Sequence, residues 1–282
     1  MDFELNDVQK SVQKAAREFA QKEFSKEIAM ELEKNEEFPF ELWRKACKLG
    51  FVGSHFPEEY GGQGLGVLEK VLIIEEFCRV DSSIGQTISM VDFPAEVILR
   101  KGSRKQKEEY LPLVAEGKAI PAMAITEPQH GSDIMVMDTK ATKIGNEYLV
   151  NGTKTMISYG NIADFFVTLC QTDQDVRPTY RGQSFFIIEK ENKGLDVVKI
   201  ENKMGIRLSP TAEVYFNDVK VSKEHLIGEE NKGFYYALEF FYATRPKIAA
   251  QALGMAQGAF DLALAYARER EQFGRRIGEF QA

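Results

Sequence analysis

Ala122-Met123-Ala124-Ile125-Thr126-Glu127-Pro128-Gln129-His130-Gly131-Ser132-Asp133 is the stretch on which the reading of this chain turns. Before it, apolar residues recur at helical spacing; after it, they alternate as in strands. Upstream, Leu5, Val8, Val12, Ala15, Ala16 and Phe19 share one helical face. Asn6 precedes that face with Gln9 three residues on, the spacing of a capping box. Residues 41–49 form a second helix that stops at Gly50. Residues 68–80 keep a helical register, and residues 105–115 carry Pro112, which opens or kinks a helix. Downstream, Gly145-Asn146 sits as a hairpin turn between residues 139–144 and 147–150. Residues 165–170, 184–188, 195–200 and 213–216 add further β-rich runs. From Gly233 the helical pattern returns over 234–243, is interrupted by Thr244-Arg245-Pro246, and resumes in a small-residue stretch, Ala249 to Ala259, suited to close helix–helix approach. The order helix, strand, helix predicts an α+β protein. It has an N-terminal helical domain over 1–120, an antiparallel β-barrel or sandwich domain over 121–230, and the start of a C-terminal helical bundle over 231–282.

Composition narrows the function. Hydrophobic residues at 44% and charged residues at 28% of 282 exclude a disordered chain. Lys+Arg 36 against Asp+Glu 43 leaves −7, which gives no global attraction to nucleic acid or anionic membrane. Met1-Asp2-Phe3-Glu4 has neither the basic region nor the apolar core of a signal peptide. Residues 248–260, cut by Gln251 and Gln257, are too short to span a bilayer. Cys47, Cys78 and Cys170 match no zinc or redox spacing and read as core thiols of a reducing compartment, the cytoplasm. His55, His130 and His225 lie far apart, so no metal site is expected.

Four segments carry possible chemistry. The glycine-rich run Pro57 to Gly66 lacks the Lys-Ser/Thr ending of a P-loop and follows no strand, so it reads as a tight turn between helices. Residues 122–133 offer hydroxyls and backbone amides at the start of the β-region. They suit a polar heterocycle and a phosphate, although alone they read as a capped loop. Asn151-Gly152-Thr153-Lys154-Thr155-Met156-Ile157-Ser158-Tyr159-Gly160 alternates its faces as ordinary β-structure. Residues 266–281 hold Arg268, Arg270, Arg275 and Arg276, either an anion site or a solvated helix end.

In this order and between two helical regions, these segments resemble the acyl-CoA dehydrogenase family over the whole chain. Ile125-Thr126-Glu127-Pro128 with Gly131-Ser132-Asp133 is similar to its first signature. Lys203-Met204-Gly205-Ile206-Arg207, Asn217-Asp218-Val219 and Leu226-Ile227-Gly228 resemble the end of its β-domain. Arg245-Pro246 with Ala249-Ala250, and Arg270-Glu271-Gln272-Phe273-Gly274, resemble its C-terminal helices.

The resemblance implies a non-covalent FAD between the β-domain and the C-terminal helices, and oxidation of an acyl-CoA thioester by proton abstraction and hydride transfer to flavin N5. By position, Met123, Ile125 and Thr126 line the flavin, and Met156, Ile157 and Ser158 cover another part of it. Ser132 touches FAD or substrate. Arg270, Gln272 and Phe273 reach the FAD of a neighbouring subunit, which implies a homo-oligomer, usually a tetramer. Ser89, Phe241, Tyr242 and Arg245 belong to the substrate side. The implied electron acceptor is an electron-transferring flavoprotein or a similar protein. An acyl-CoA oxidase using dioxygen and a non-catalytic flavin- or CoA-binding subunit are the alternatives.

Two departures bear on the base. In most relatives the catalytic Glu lies beyond residue 282, and in another branch it precedes the Arg at position 245, where Thr244 stands here. Asp92, in Ser89-Met90-Val91-Asp92-Phe93-Pro94, falls on a segment that borders the acyl cavity in relatives. It is either a capping or surface residue beside Pro94, or a carboxylate in the acyl pocket acting on carbons remote from the thioester. The latter resembles the branch acting on alicyclic carboxyl-CoA esters such as cyclohexane- or cyclohexene-carboxyl-CoA. Family members also continue well past residue 282, so the resemblance implies that the sequence is part of a longer chain.

Overall fold

Asn6 opens the first helix of the computed structural model, which describes residues 4–281. Met1, Asp2, Phe3 and Ala282, on which the reading of the two chain ends drew, lie outside the described residues. The capping box forms as expected: Gln9 donates its amide to Asn6 Oδ1 at 2.9 Å and Asn6 donates its own to Gln9 Oε1 at 3.0 Å. Behind it runs α1 (Asp7–Glu23), followed by α2 (Lys26–Asn35) and α3 (Phe40–Lys48). Then come α4 (Val67–Val80), α5 (Ser82–Ser89), α6 (Ala95–Lys101) and α7 (Arg104–Ala115), the last with Pro112 inside it. Phe19, Phe24, Phe51 and Phe77 lock α1 and α4 together through edge and tilted ring contacts of 5.3–5.6 Å. Burying each such ring contributes about 1.5–3 kcal/mol.

The glycine-rich run is a turn. The amides of Tyr60, Gly61, Gly62, Gln63, Gly64 and Leu65 all donate to carbonyls of residues 54–58, so the loop satisfies itself. A Cβ on Gly62 would stand 2.0 Å from the Phe56 carbonyl oxygen, which is why glycine is needed there.

The sheet comprises β1 (Pro121–Ala124), β2 (Lys140–Ile144), β3 (Glu147–Ser158), β4 (Phe165–Gln171), β5 (Gln183–Glu189), β6 (Leu195–Ile200), β7 (Thr211–Ser222) and β8 (Leu226–Ile227). Its order is β6-β7-β3-β2-β4-β5-β8, with β1 beside β4. The expected all-antiparallel pairing holds except at β4, which runs parallel to both β1 and β2. β4 is buried along its whole length. Its alternation serves two cores: Phe165, Val167 and Leu169 face the helices, while Phe166 and Cys170 pack inside the bent sheet with Tyr148, Phe186 and Phe216.

One helix, α8 (Gly233–Glu269), follows. The expected break at Thr244-Arg245-Pro246 does not occur. Pro246 has no amide to offer the carbonyl one turn back, but packing carries the helix through. By length and composition alone α8 is long and apolar enough to cross a membrane. Here it lies against α4. A Cβ on Gly254 would approach the Glu75 carbonyl oxygen to 2.4 Å, and one on Gly258 the Arg79 carbonyl oxygen to 2.2 Å. Part of the small-residue stripe therefore has its partner within this chain. Leu253, Phe260, Leu262 and Tyr266, on other faces, are exposed. The helix ends at Glu269, and the arginine-rich segment is not helical: β9 (Glu271–Gln272) and β10 (Arg275–Arg276) form a short hairpin around Phe273-Gly274.

Candidate active site

Two segments thirty residues apart in sequence meet at the end of β1. Thr155 donates its amide to the Thr126 carbonyl at 2.9 Å, setting Met123, Ile125 and Thr126 beside Met156, Ile157 and Ser158. A register shift in β3 between Lys154 and Ile157 turns the strand at this point. Met156 takes φ 57° and stands 65% exposed, while Ile157 turns inward. Such bulges re-aim side chains at functional sites. Met123, Thr126 and Ser158 are half-buried and Ile125 is buried. The result is an apolar, polar-edged surface of the kind a planar heterocycle covers.

Beneath it lies an ion pair with both side chains buried. Lys154 Nζ donates to Glu127 Oε1 at 2.8 Å and to the Ile125 carbonyl at 2.9 Å. Glu127 also accepts the amides of Asp138 at 2.6 Å and Thr139 at 2.8 Å. Burial alone would raise the Glu127 pKa, but Lys154 and these donors hold it below the usual carboxylate range. The pair ties both ends of the loop carrying Ser132 to β3.

A groove of about 810 Å³ runs between that loop and α8. Ser132, Phe241, Thr244 and Arg245 line it, so three of the expected substrate-side residues come together there. Tyr242 points away, 64% exposed, with the Arg245 guanidinium 5.1 Å from its ring. Ser89 is buried on α5 and spends its hydroxyl on the Gly85 carbonyl. Thr244 is buried and donates to the Phe240 carbonyl at 3.0 Å. Arg270, Gln272 and Phe273 stand exposed on the terminal hairpin, Phe273 at 95%, and line no part of the groove.

Asp92 is neither a cap nor a surface residue; it is fully buried. Lys70 donates to its Oδ2 at 2.6 Å and the Gly53 amide to the same oxygen at 2.7 Å. Oδ1 is buried and meets no hydrogen-bond partner. Burial pushes the carboxyl pKa up, yet Lys70, His55 and Lys247 outweigh burial and hold it down. Four residues on, buried Glu96 binds Lys247 at 2.9 Å, His55 at 2.9 Å and Arg100 at 2.7 Å. Lys247 is one turn past Thr244 on the buried face of α8, so this charge cluster adjoins the groove lining. Sequence reasoning missed Lys70, Glu96, Lys154 and Lys247. The available signal was a lysine on the apolar face of a helix or inside a small-residue stripe.

Comparison with known proteins agrees with this geometry. Models of the acyl-CoA dehydrogenase N-terminal, middle and C-terminal domains match residues 6–118, 122–219 and 231–282. The chain belongs to the acyl-CoA dehydrogenase family. It is 42% identical, over all of its length and 74% of the relative's, to the short-chain-specific acyl-CoA dehydrogenase of Clostridium acetobutylicum. It is 40% identical to subunit CarC of the caffeyl-CoA reductase–Etf complex of Acetobacterium woodii, covering 97% of this chain and 72% of that one. The butyryl-CoA dehydrogenase of Megasphaera elsdenii superposes with a TM-score of 0.93 at 36% identity, covering 100% and 73% of the two chains. This acyl-CoA dehydrogenase is thus an FAD-dependent oxidoreductase acting on a CH–CH bond of an acyl-CoA. The bulged, apolar surface around Met156 and the hydroxyls of Thr126 and Ser158 fit that cofactor.

Proposed function

We propose that this acyl-CoA dehydrogenase oxidises a cyclic acyl-CoA and that Asp92 is its base. FAD, when bound, supplies the acceptor for the hydride. The chain's own residues bind, orient and remove the proton. We assign the CoA ester to the groove between the Ser132 loop and α8, with Arg245 offering a cation for its phosphates and Phe241 an apolar wall. Met123, Ile125, Thr126, Met156, Ile157 and Ser158 hold the flavin, and Arg270, Gln272 and Phe273, exposed on their hairpin, reach the flavin of a second subunit in a homotetramer.

The single observation that carries the reading is the buried, unpartnered Oδ1 of Asp92. A base needs a lone pair left uncommitted in a water-poor site, and leaving a buried carboxylate oxygen unpaired is otherwise costly. Thr244, whose hydroxyl is spent on the Phe240 carbonyl, offers no such group. Asp92 does not itself line the groove; its charge cluster reaches the groove wall through Lys247, one turn past Thr244, and a carboxylate there, rather than at the Thr244 position, suits a C–H remote from the thioester, as a ring presents. Electrons then leave to an electron-transferring flavoprotein, in keeping with the Etf complex named for the Acetobacterium relative. The three free, buried thiols suit a cytoplasmic enzyme.

The experiment is anaerobic bleaching of the flavin band against straight, branched and cyclic acyl-CoAs. Cyclic esters should bleach fastest. Equal or faster bleaching by butyryl-CoA would sink the cyclic assignment.

A further inference from the structure

Lys70 is the odd residue of α4. Its helix is otherwise apolar on this face, and burying an ammonium without a strong partner is among the costliest things a fold can do. Two of its three protons are directed: one to Asp92 Oδ2 at 2.6 Å, another to the Phe51 carbonyl at 3.1 Å. The turn that supplies Phe51 also supplies the Gly53 amide, which donates to the same Oδ2. Two donors thus converge on one oxygen of Asp92 while the other, equally buried, meets none.

We infer that Lys70 and the Gly53 amide are positioning groups for Asp92: they occupy Oδ2, present Oδ1 as the one oxygen on which a substrate proton can land, and hold the carboxylate ionised when an apolar acyl group displaces water. This rests on the reading of Asp92 as base. The other groups facing Asp92 make no hydrogen bond to it, although the field of Lys247 adds to that of Lys70. Burial pushes the Cys47 thiol of α3 up to about 12 and lowers the pKa of His55, so both are neutral at pH 7. The Tyr159 phenol, after β3, is raised by burial and gives its proton to the Thr87 carbonyl. Lys247 of α8 and Arg100 are engaged by Glu96 of α6. Lys70 is therefore the one cation in contact with the carboxylate among the described residues. Without it, desolvation by the substrate would favour the protonated acid, which cannot act as a base. In the step itself a substrate C–H breaks, its proton goes to Oδ1, its electron pair enters the new C=C, and a hydride leaves a second carbon for bound FAD. Asp92 then becomes neutral beside Lys70, and the unbalanced cation favours return of the proton to solvent.

The test is the rate of flavin reduction by the best cyclic acyl-CoA, by stopped flow from pH 5 to 8, in wild type, Lys70→Gln, Lys70→Arg and Asp92→Asn, each checked for bound FAD. Wild type should be flat to about pH 5, because its base stays ionised. Lys70→Gln should develop an acid limb between about pH 6 and 7, about tenfold slower than its plateau at pH 5.5. Lys70→Arg, which keeps the cation, should show no such limb even if its plateau falls. An inactive Asp92→Asn with a Lys70→Gln profile as flat as wild type would overturn the role of Lys70 alone. An Asp92→Asn enzyme with full turnover would instead remove the base reading beneath it. Should Lys70→Gln fail to retain FAD, an acid limb in Lys70→Arg matching no limb in wild type would overturn the inference, and a flat profile would support it.

Discussion

Glu96 on α6 and Lys247 on α8 meet at 2.9 Å, 151 residues apart in sequence and with both side chains out of solvent. This contact joins the helical N-terminal region to the helix that lines the groove beside the Ser132 loop, one turn from Thr244. Removing one partner breaks a buried ion pair, a loss of up to about 3–5 kcal/mol, part of which Arg100 and His55 offset on the Glu96 side. Lys247→Met should therefore lower unfolding stability by up to that amount, read from urea midpoints. Combining it with Glu96→Gln should cost clearly less than the sum of the single variants, because the two changes remove one interaction.

The Lys154–Glu127 pair should matter to flavin binding beyond its effect on stability. Lys154→Met frees both ends of the loop that carries Thr126 and Ser132. FAD affinity should fall about tenfold or more, equivalent to about 1.4 kcal/mol, as measured by fluorescence titration of the apoprotein. An unchanged affinity would show that the loop holds its shape without the clamp.

Acid should destabilise the fold in a definable window. Asp92, Glu96 and Glu127 all have folded-state pKa values held below the ordinary range by neighbouring cations and donors, against the opposing effect of burial. A group with a depressed folded pKa binds protons more readily when unfolded. Its contribution is complete above the ordinary carboxylate value of about 4 and is lost as pH falls through the lower folded value. Urea midpoints should be steady from pH 7 to about 5 and fall steeply below about 4. In Lys154→Met the fall should be shallower, because Glu127 is then held down only by the Asp138 and Thr139 amides.

Gly254 is where α8 comes closest to α4. Gly254→Val puts a Cβ 2.4 Å from the Glu75 carbonyl oxygen, a clash with backbone that no rotamer relieves. The expected loss is about 1–3 kcal/mol or more, since overpacking must move the helix. The same change at Gly131, where a Cβ meets nothing within 4 Å, should be nearly neutral. Thermal melting of the two variants checks the contrast.

Much of the fold was legible because it is written in local rules. The capping box at Asn6 and Gln9, the turn at Gly145-Asn146 and the change of period near residue 121 each involve neighbours within a few residues. The parallel pairing of β4 was not legible, because it depends on which strands meet after long connections. The continuity of α8 through Pro246 was not legible either: the local penalty for proline is real, and it is outweighed by packing against a helix more than 150 residues away. The hairpin at Glu271 to Arg276 shows the converse, with arginines and glutamates that suit a helix end going instead into a turn set by Phe273-Gly274.

The sequence by itself determined the order of helices and strands, the family resemblance, and the candidate flavin-side residues that the resemblance implies. All of these rest on short-range spacing or on motifs read in series. Only the tertiary structure decided what surrounds Asp92, Glu96 and Glu127. Their lysine partners lie 22, 151 and 27 residues away, and a buried charge is defined by what folding brings against it. That is why Asp92 could be read either as a surface cap or as a base, and why folding leaves it with one oxygen held by Lys70 and Gly53 and the other free.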